Sequence, residues 1–524
     1  MSELHLQRNL ISRVNVGDLL TRSAARAPQR PAVIDGARRF TYRDLNDQVN
    51  RTAHGLSALG YRRGDALGLM STNNAEFLVT YFACAKLGLI CVPINLFWRN
   101  KELAYVLDHA AIRGMVVEAS LLDQLDPALA DVPGVRDIIV IGAGTPAAAD
   151  RRIVPFDGLQ EAMSSDEPEV QVEDRDPISY LYTSGTTSAP KGVVSSHLAV
   201  YLESLGVALD TRMTAEDRVT ALMPLFHTAQ LNVIVTPAIA VGAAIFIQRG
   251  FDALRLLDLI ETERLTLAFA LPMMYRALLE QEGRDVSSLR LAIYAMAPMP
   301  THELRRAIET FGCDFALMFG QTEMNPLSTY FRPEHQLSHP GAVGTPSVNV
   351  EVAIMNEAGE RLPLGQSGEI VYRSPQVLSG YLHNPQATDA AFAHGWFHSG
   401  DAGHFDADGI LWFEDRFKDV IKSGGENVAS IEVEKALYAA DPGVQEAAVI
   451  GLPHDHWGEA VTAIVIPKPG QTLDETALLA KLRDHLSPYK CPKRILFAEA
   501  MPKTATGKIQ KAKLRTEFAG LYRR

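Results

Sequence analysis

Tyr182-Thr183-Ser184-Gly185-Thr186-Thr187-Ser188-Ala189-Pro190-Lys191-Gly192 is the stretch on which the fold turns. Ile178–Tyr182 reads as a strand leading in, and Val193-Val194 as the next strand leading out. Four hydroxyls fall within Thr183–Thr187, a fifth follows at Ser188, and two glycines and one lysine complete the set. Glycine lets backbone N–H groups approach an anion, hydroxyls donate hydrogen bonds, and lysine supplies positive charge. That chemistry suits a polyphosphate. It is not the GxxxxGK[ST] loop, because Pro190 stands where that motif requires the glycine before lysine. Ser184–Thr187 alone would read as a Ser/Thr-rich turn. The full spacing, and the motifs below, argue for phosphate.

Upstream, the chain alternates helical and strand-like segments. Phe77, Tyr81 and Ala85 recur at i+4 in Glu76–Leu87, with Asn74 before and Gly88 after, which predicts a capped helix. Ile90–Pro93 reads as a short buried strand. Downstream, Leu304, Ile308 and Phe311 mark a helix opened by Pro300-Thr301 and closed by Gly312. This alternation predicts layered α/β architecture with mostly parallel sheets. From about Arg416 the pattern changes: a short helix near Val433–Tyr438, strands at Ala447–Ile450 and Val461–Ile466, and a helix over Asp474–Leu486 stopped by Pro488. The expectation is a large multi-layer α/β domain over residues 1–415 and a small mobile α+β domain over 416–524.

Composition narrows the function. The 524 residues carry a net charge of −12, which argues against wrapping nucleic acid or binding an anionic membrane surface. With 38 glycines and 29 prolines the chain is neither collagen-like nor largely disordered. Four cysteines without a C-x-x-C pair predict a reducing compartment, the cytoplasm, and no zinc site. Val233–Ile247, the longest apolar run, is broken by Thr236, Pro237 and Gly242 and is shorter than the ~18 residues a membrane span needs, so it reads as core. Met1–Val14 has no apolar signal core, and Leu521–Arg524 is no lipidation or peroxisomal signal. The six acids of Ser164–Asp176 read as a solvated connector. Lys86, Arg249 and Arg290 read as surface cations, and the methionines of Met273-Met274 and Met296–Met299 as core.

The phosphate-loop stretch closely resembles that of the adenylate-forming (AMP-binding) superfamily, which includes acyl-CoA synthetases, aryl-CoA ligases, luciferases and peptide-synthetase adenylation domains. The resemblance covers essentially the whole chain and continues in order. Pro224-Leu225-Phe226-His227 resembles PxFH, Phe319-Gly320-Gln321-Thr322-Glu323 resembles YGxTE, and Ser399-Gly400-Asp401 resembles the TGD element. Asp415–Asp419 with Ile421–Asn427 resembles the hinge and its following loop, and Pro502–Lys508 the C-terminal lysine motif.

The resemblance implies the adenylate-forming fold and an acyl-CoA synthetase: a carboxylate attacks the α-phosphate of ATP with Mg²⁺, and coenzyme A then displaces AMP, on a fatty or aryl acid. It implies catalytic roles for Lys508, His227, Thr322 and Glu323, with Glu323 the Mg²⁺ ligand. Thr183, Ser184, Gly185, Thr186, Thr187 and Lys191 would hold phosphates. Phe319, Gly320, Asp401 and Arg416 would hold the nucleotide. Lys418 would be the hinge, and Gly424, Gly425 and Glu426 would line the coenzyme A path. Phe226, Gln230, Ala295, Met296 and Met324 would line the acyl pocket. Taken alone, His227 after an apolar run would read as a packing residue, and Lys508 as a surface lysine.

Several residues depart from the family's pattern. Ser188 replaces a glycine, Phe319 a tyrosine, and Ala295-Met296 a Gly-Gly pair; Thr228-Ala229-Gln230 follows His227 without the usual glycine, and Asn325 adds a polar group. The implied partners are a small carboxylic acid, ATP and CoA, with no nucleic acid, no transmembrane segment and room for a homodimer. Two other readings share the motifs: an adenylase that passes its acyl group to a carrier protein or amine, and a luciferase-type oxygenase.

Overall fold

Helices capped by their own sequence set the layers of the fold. Asn74 accepts a hydrogen bond from the Phe77 N–H at 2.8 Å, and Gly88 ends the helix Ala75–Leu87 at φ +66°, as the capping pattern predicts. Every residue of that helix except Glu76 is buried, which marks it as a helix enclosed on all sides. Thr41 and Asp44 exchange side-chain-to-backbone bonds to open the helix Tyr42–Ala58.

The computed structural model describes residues 3–147, 150–183, 190–281, 283–297, 299–416, 419–424, 426–503 and 509–522. Two compact units emerge. The first holds Met1–Thr183, Pro190–Val352 and Tyr372–Phe397; the second holds Ala353–Val371 and His398–Arg524.

In the first unit a nine-stranded sheet runs Thr345–Pro346, Leu327–Phe331, Asp314–Gly320, Leu291–Ala295, Leu267–Ala270, Arg218–Ala221, Ala244–Ile247, Pro31–Asp35, Arg38–Thr41. Its middle strands are parallel, while Leu327–Phe331 and Arg38–Thr41 pair antiparallel at the two ends. An eight-stranded sheet runs Gly380–Tyr381, Lys191–Ser196, Pro177–Thr183, Ile90–Pro93, Ala66–Met70, Ile112–Glu118, Asp137–Ile141, Arg152–Pro155. Helices Ala75–Leu87 and His197–Asp210 contribute to one core with apolar residues of both sheets, among them Leu67, Val116, Val219 and Ile293. The expected α/β layering is therefore present: both sheets have parallel centres, the nine-stranded sheet has antiparallel strands at both ends, and the eight-stranded sheet has them only at the Gly380–Tyr381 end. Val233–Ile247 is buried as expected, but as a π-turn, a short helix and a strand.

The second unit carries most of the four-stranded sheet Glu351–Met355, Gly368–Arg373, Phe397–Phe405, Leu411–Arg416. It also carries a five-stranded sheet in which Val444–His454 and Gly458–Pro467 form a long hairpin. The helix Glu475–Leu482 stops before the Leu486 that its periodicity had promised; Leu486 is buried all the same, through a turn.

Four expectations are corrected. Lys86 is no surface cation: it is 1% exposed and donates to Asn46 Oδ1 at 2.7 Å, Asn50 Oδ1 at 2.7 Å and Glu167 Oε2 at 2.6 Å. Glu167 belongs to the acidic stretch, so that connector is clamped, and Asp176 in the same stretch pairs with Arg63. Arg290 is half-buried and pairs with the buried Asp217, whereas Arg249 is exposed as expected and pairs with Glu118. Met273 and Met296 are exposed rather than core.

Lys86→Ala would leave the two asparagine oxygens and Glu167 without their shared donor. Only Asn50 among them is fully buried, and one unsatisfied buried partner costs ~1–3 kcal/mol, so the expected loss is of that size, read as a lower urea midpoint. An unchanged midpoint would contradict the clamp.

Candidate active site

Three segments of the first unit leave parallel strands of the nine-stranded sheet at their carboxyl ends, the edge where open α/β sheets place ligands. Leu222–His227 follows Arg218–Ala221, Met296 follows Leu291–Ala295, and Gln321–Met324 follows Asp314–Gly320. The expected site residues His227, Met296, Thr322 and Glu323 thus share one sheet edge.

The third segment is shaped by a close backbone approach. A Cβ at Gly320 would lie 1.8 Å from the Pro326 carbonyl oxygen, and Gln321 N–H donates to that oxygen at 3.0 Å. Only glycine fits there. Phe319 is half-buried and Gly320 exposed. Thr322–Met324 forms one 3₁₀ turn closed by Asn325 at φ +67°. Met324 is fully buried behind it, whereas Thr322 and Glu323 are half-buried.

Glu323 Oε1 accepts a hydrogen bond from the Tyr381 hydroxyl at 3.1 Å, and Glu323 Oε2 has no hydrogen-bond partner among the described residues. A carboxylate oxygen left open in this way fits Mg²⁺, a hard cation that takes one or two carboxylates together with phosphate and water oxygens. Among the described residues no cluster of three or more His, Cys, Asp or Glu is placed to cage a metal.

The turn is held by groups that sequence reasoning missed. Glu203, fully buried, accepts from Leu327 N–H at 3.0 Å and from Gln376 Nε2 at 2.6 Å, and burial pushes its carboxyl well above the usual carboxylate range. Gln376 Nε2 also donates to the carbonyls of Met324 and Leu327, and Asn325 Nδ2 donates to the Gln376 carbonyl at 2.7 Å. No local signal marks these residues, because their partners lie up to 173 positions away.

At the eight-stranded sheet, Thr183 and Lys191 are register partners across the antiparallel strands that flank the phosphate loop. Thr183 is half-buried and Lys191 exposed, with its ammonium 5.2 Å from the centroid of the Tyr381 ring. Ser184, Gly185, Thr186 and Thr187 lie outside the described residues, as do Lys418, Gly425 and Lys508.

His227 packs against Phe226, with ring centroids 4.6 Å apart, and its Nε2 is buried without a hydrogen-bond partner among the described residues. Burial lowers its pKa to about 4, so the imidazole is neutral at pH 7. Asn73 fixes the preceding turn: its Oδ1 accepts from Leu225 N–H at 2.8 Å and its Nδ2 donates to Met223 O at 2.9 Å and Gln248 O at 3.0 Å. Gln230 turns its amide back onto Met223 N–H and Thr220 O, so it braces this turn instead of facing an acyl group. Ala295 is buried, and Met296 is 61% exposed at φ +70°, the backbone region in which a side chain is strained and glycine is not.

In the second unit Asp401 and Arg416 are register partners on adjacent strands, and Arg416 Nε lies 2.8 Å from Asp401 Oδ1. Gly400 at φ +72° makes the bend before Asp401, whose N–H donates to Ser399 Oγ at 3.0 Å. Asp415, also missed, accepts from both the N–H and the hydroxyl of Ser430 at 2.5 Å and so caps the helix Ser430–Ala440. Gly424, exposed at φ +65°, donates its N–H to the Trp457 carbonyl at 2.8 Å; Glu426 is exposed.

A cation beside a phosphate-type loop and an open carboxylate at a strand edge suit a nucleotide with a metal; comparison with known proteins shows the family. The model of the "AMP-binding enzyme" family matches residues 20–382, and that of the "AMP-binding enzyme C-terminal domain" matches 432–508. The chain belongs to the AMP-binding enzyme family. Feruloyl-CoA synthase of Amycolatopsis sp is 35% identical over 96% of this chain and 99% of its own. Indoleacetate–CoA ligase of Aromatoleum aromaticum is 31% identical over 96% and 98%. The crystal structure of the anthranilate CoA ligase AuaEII with anthranoyl-AMP superposes with a TM-score of 0.87 at 30% identity, over 98% of this chain and 99% of that one. This AMP-binding enzyme therefore has the adenylate-forming fold.

Two outcomes follow. His227 ordinarily titrates near 6.5 and in the fold near 4, so between these values the unfolded chain binds a proton that the folded chain refuses. Stability therefore falls as pH drops from 6.5 towards 4, by up to ~1.4 kcal/mol per pH unit from this group. His227→Gln removes that contribution, and urea midpoints at pH 7, 6 and 5 should show a shallower decline; an identical decline would contradict it. Met296→Gly should broaden the acids accepted, each extra buried CH₂ adding ~0.8 kcal/mol, about fourfold in kcat/KM across a homologous series. An unchanged length profile would remove Met296 from the acyl pocket.

Proposed function

We propose that this AMP-binding enzyme is an ATP-dependent carboxylate–CoA ligase. The observation that carries the reading is the pair Lys191 and Glu323, both in contact with Tyr381, the ammonium without a salt bridge and one carboxylate oxygen without a hydrogen bond among the described residues, in a chain akin to CoA ligases over nearly its full length. In the first step a carboxylate oxygen of the acid attacks the α-phosphorus of ATP, the bond to the β-phosphate oxygen breaks, and acyl-AMP and pyrophosphate form. In the second the CoA thiol loses its proton and attacks the acyl carbon; the acyl–oxygen bond breaks and AMP leaves.

Lys191, Thr183 and the 184–187 loop would bind the β- and γ-phosphates, and Thr322 the α-phosphate. Bound to Glu323 and the phosphates, Mg²⁺ would offset the charge of the leaving pyrophosphate. Phe319 and Gly320 would face the adenine, and Asp401, oriented by Arg416, the ribose hydroxyls. His227, neutral and carrying an unpartnered Nε2, would face the acid's carboxylate without adding charge. Lys508 would bridge carboxylate and α-phosphate. The small domain over 416–524 would then turn about Lys418 so that Gly424, Gly425 and Glu426 replace Lys508 beside the CoA path.

The acid is fatty or aryl. Relatives named for ferulate and indoleacetate favour an aryl acid, and one named for a long-chain fatty acid keeps both classes in the screen. Four unpaired cysteines support a reducing, cytoplasmic setting. A second reading, transfer to a carrier protein, is supported by ScoC of Streptomyces coeruleorubidus, named a fatty acid–[acyl-carrier-protein] ligase and 31% identical over 95% of each chain.

The test is AMP release across graded acids with and without CoA. Release that requires CoA supports the ligase; release that requires a carrier protein supports the second reading. Lys508→Ala should lower ATP–pyrophosphate exchange by about 10²–10³-fold yet still convert supplied acyl-AMP and CoA to thioester. Equal loss of both half-reactions would contradict the alternation of Lys508 with the 424–426 loop.

A further inference from the structure

The strand that carries Tyr381 is tied on two sides to two different parts of the site. Ser379 N–H donates to Val194 O and Leu382 N–H to Gly192 O, both at 2.8 Å, so the segment adds to the edge of the strand that leaves the phosphate loop. On its other side Leu378 N–H donates to the Glu323 carbonyl at 2.7 Å, and the Tyr381 hydroxyl to the Glu323 carboxylate at 3.1 Å. The Tyr381 ring meets the Lys191 ammonium 5.2 Å from its centroid, within cation–π range. Lys191 makes no salt bridge among the described residues. An exposed lysine beside an acidic turn would ordinarily pair with it, and a paired lysine and glutamate offer less charge to a phosphate and a metal.

We propose that Tyr381 is a positioning residue for nucleotide binding. Its hydroxyl aims one oxygen of Glu323 and leaves the other open, and its ring holds Lys191 away from Glu323, so that both charges face ligand instead of each other. This rests on the reading of Glu323 as metal ligand and Lys191 as phosphate ligand. It adds that the two are kept apart by a side chain 58 positions from Glu323.

The two functions of Tyr381 separate by substitution. Tyr381→Phe keeps the ring and loses the hydroxyl; Tyr381→Leu loses both. ATP binding is measured by titration calorimetry without acid, over a range of Mg²⁺ concentrations. Tyr381→Phe should raise the Mg²⁺ needed for half-maximal ATP binding about threefold to tenfold, as expected for one lost hydrogen bond to a charged group, with affinity restored at saturating Mg²⁺. Tyr381→Leu should weaken ATP binding even at saturating Mg²⁺, and Lys191→Met added to it should weaken binding little further, because Lys191 is then engaged by Glu323. Thermal midpoint and KM for the acid should be unchanged in Tyr381→Phe; a merely structural role would move these and leave the Mg²⁺ dependence alone. Where Leu at 381 fails to fold, the Phe variant still decides. Glu323→Gln is the control. If it shifts the Mg²⁺ dependence and Tyr381→Phe does not, the proposal is overturned and the Glu323 reading stands. If neither shifts it, the Glu323 reading falls as well.

Discussion

A carboxylate and a triphosphate repel each other, and an enzyme that joins them must gather positive charge without letting its own acids neutralise it. At 4 Å two unit charges interact by about 1 kcal/mol in water and about 4 kcal/mol at the effective dielectric near a protein surface. On the proposed reading, the first unit meets this by geometry. Glu323 sits on a turn that Gly320, Asn325, Gln376 and the buried Glu203 hold from behind, while Lys191 stands on another sheet with an aromatic ring beside it. His227 is kept neutral by burial, so it adds no cation of its own.

The scaffold behind these groups is polar and non-local. Asn73 bonds the segment before His227 to the start of the helix Ala75–Leu87, and Glu118 braces the same stretch by accepting from Thr72 N–H and Thr72 Oγ1. Buried polar groups of this kind cost free energy unless each is satisfied, and satisfied they specify one arrangement. The turns that carry the expected site residues are thus held by hydrogen bonds, and the helices between the sheets are held by apolar packing.

What was legible in the sequence was local or contiguous. The phosphate hairpin, the capped helix at Asn74 and Gly88, and the helix closed at Gly312 each depend on residues within a few positions of one another. What was hidden depended on distance. Lys86 is a buried cation because Asn46, Asn50 and Glu167 reach it from 36 to 81 positions away. Met296 is exposed because the strand before it ends in a left-handed turn, which composition does not reveal. Tyr381 lies in a run with no motif of its own, and only the pairing of its strand with the phosphate-loop hairpin brings it to Glu323. Of the expected site, Glu323, Thr322, Lys191 and His227 stand on strand edges or loop exits, Asp401 and Arg416 form one pair, and Gln230 proves to be a brace.

The central claim, activation of a carboxylate on the α-phosphate followed by thiol displacement, has one direct measurement. The acid is supplied with both carboxylate oxygens as ¹⁸O, together with ATP, Mg²⁺ and CoA, and the products are weighed by mass spectrometry. The account predicts one ¹⁸O in AMP, none in pyrophosphate, and the remaining ¹⁸O in the thioester carbonyl. Unlabelled AMP, or ADP formed beside labelled phosphate, would contradict it.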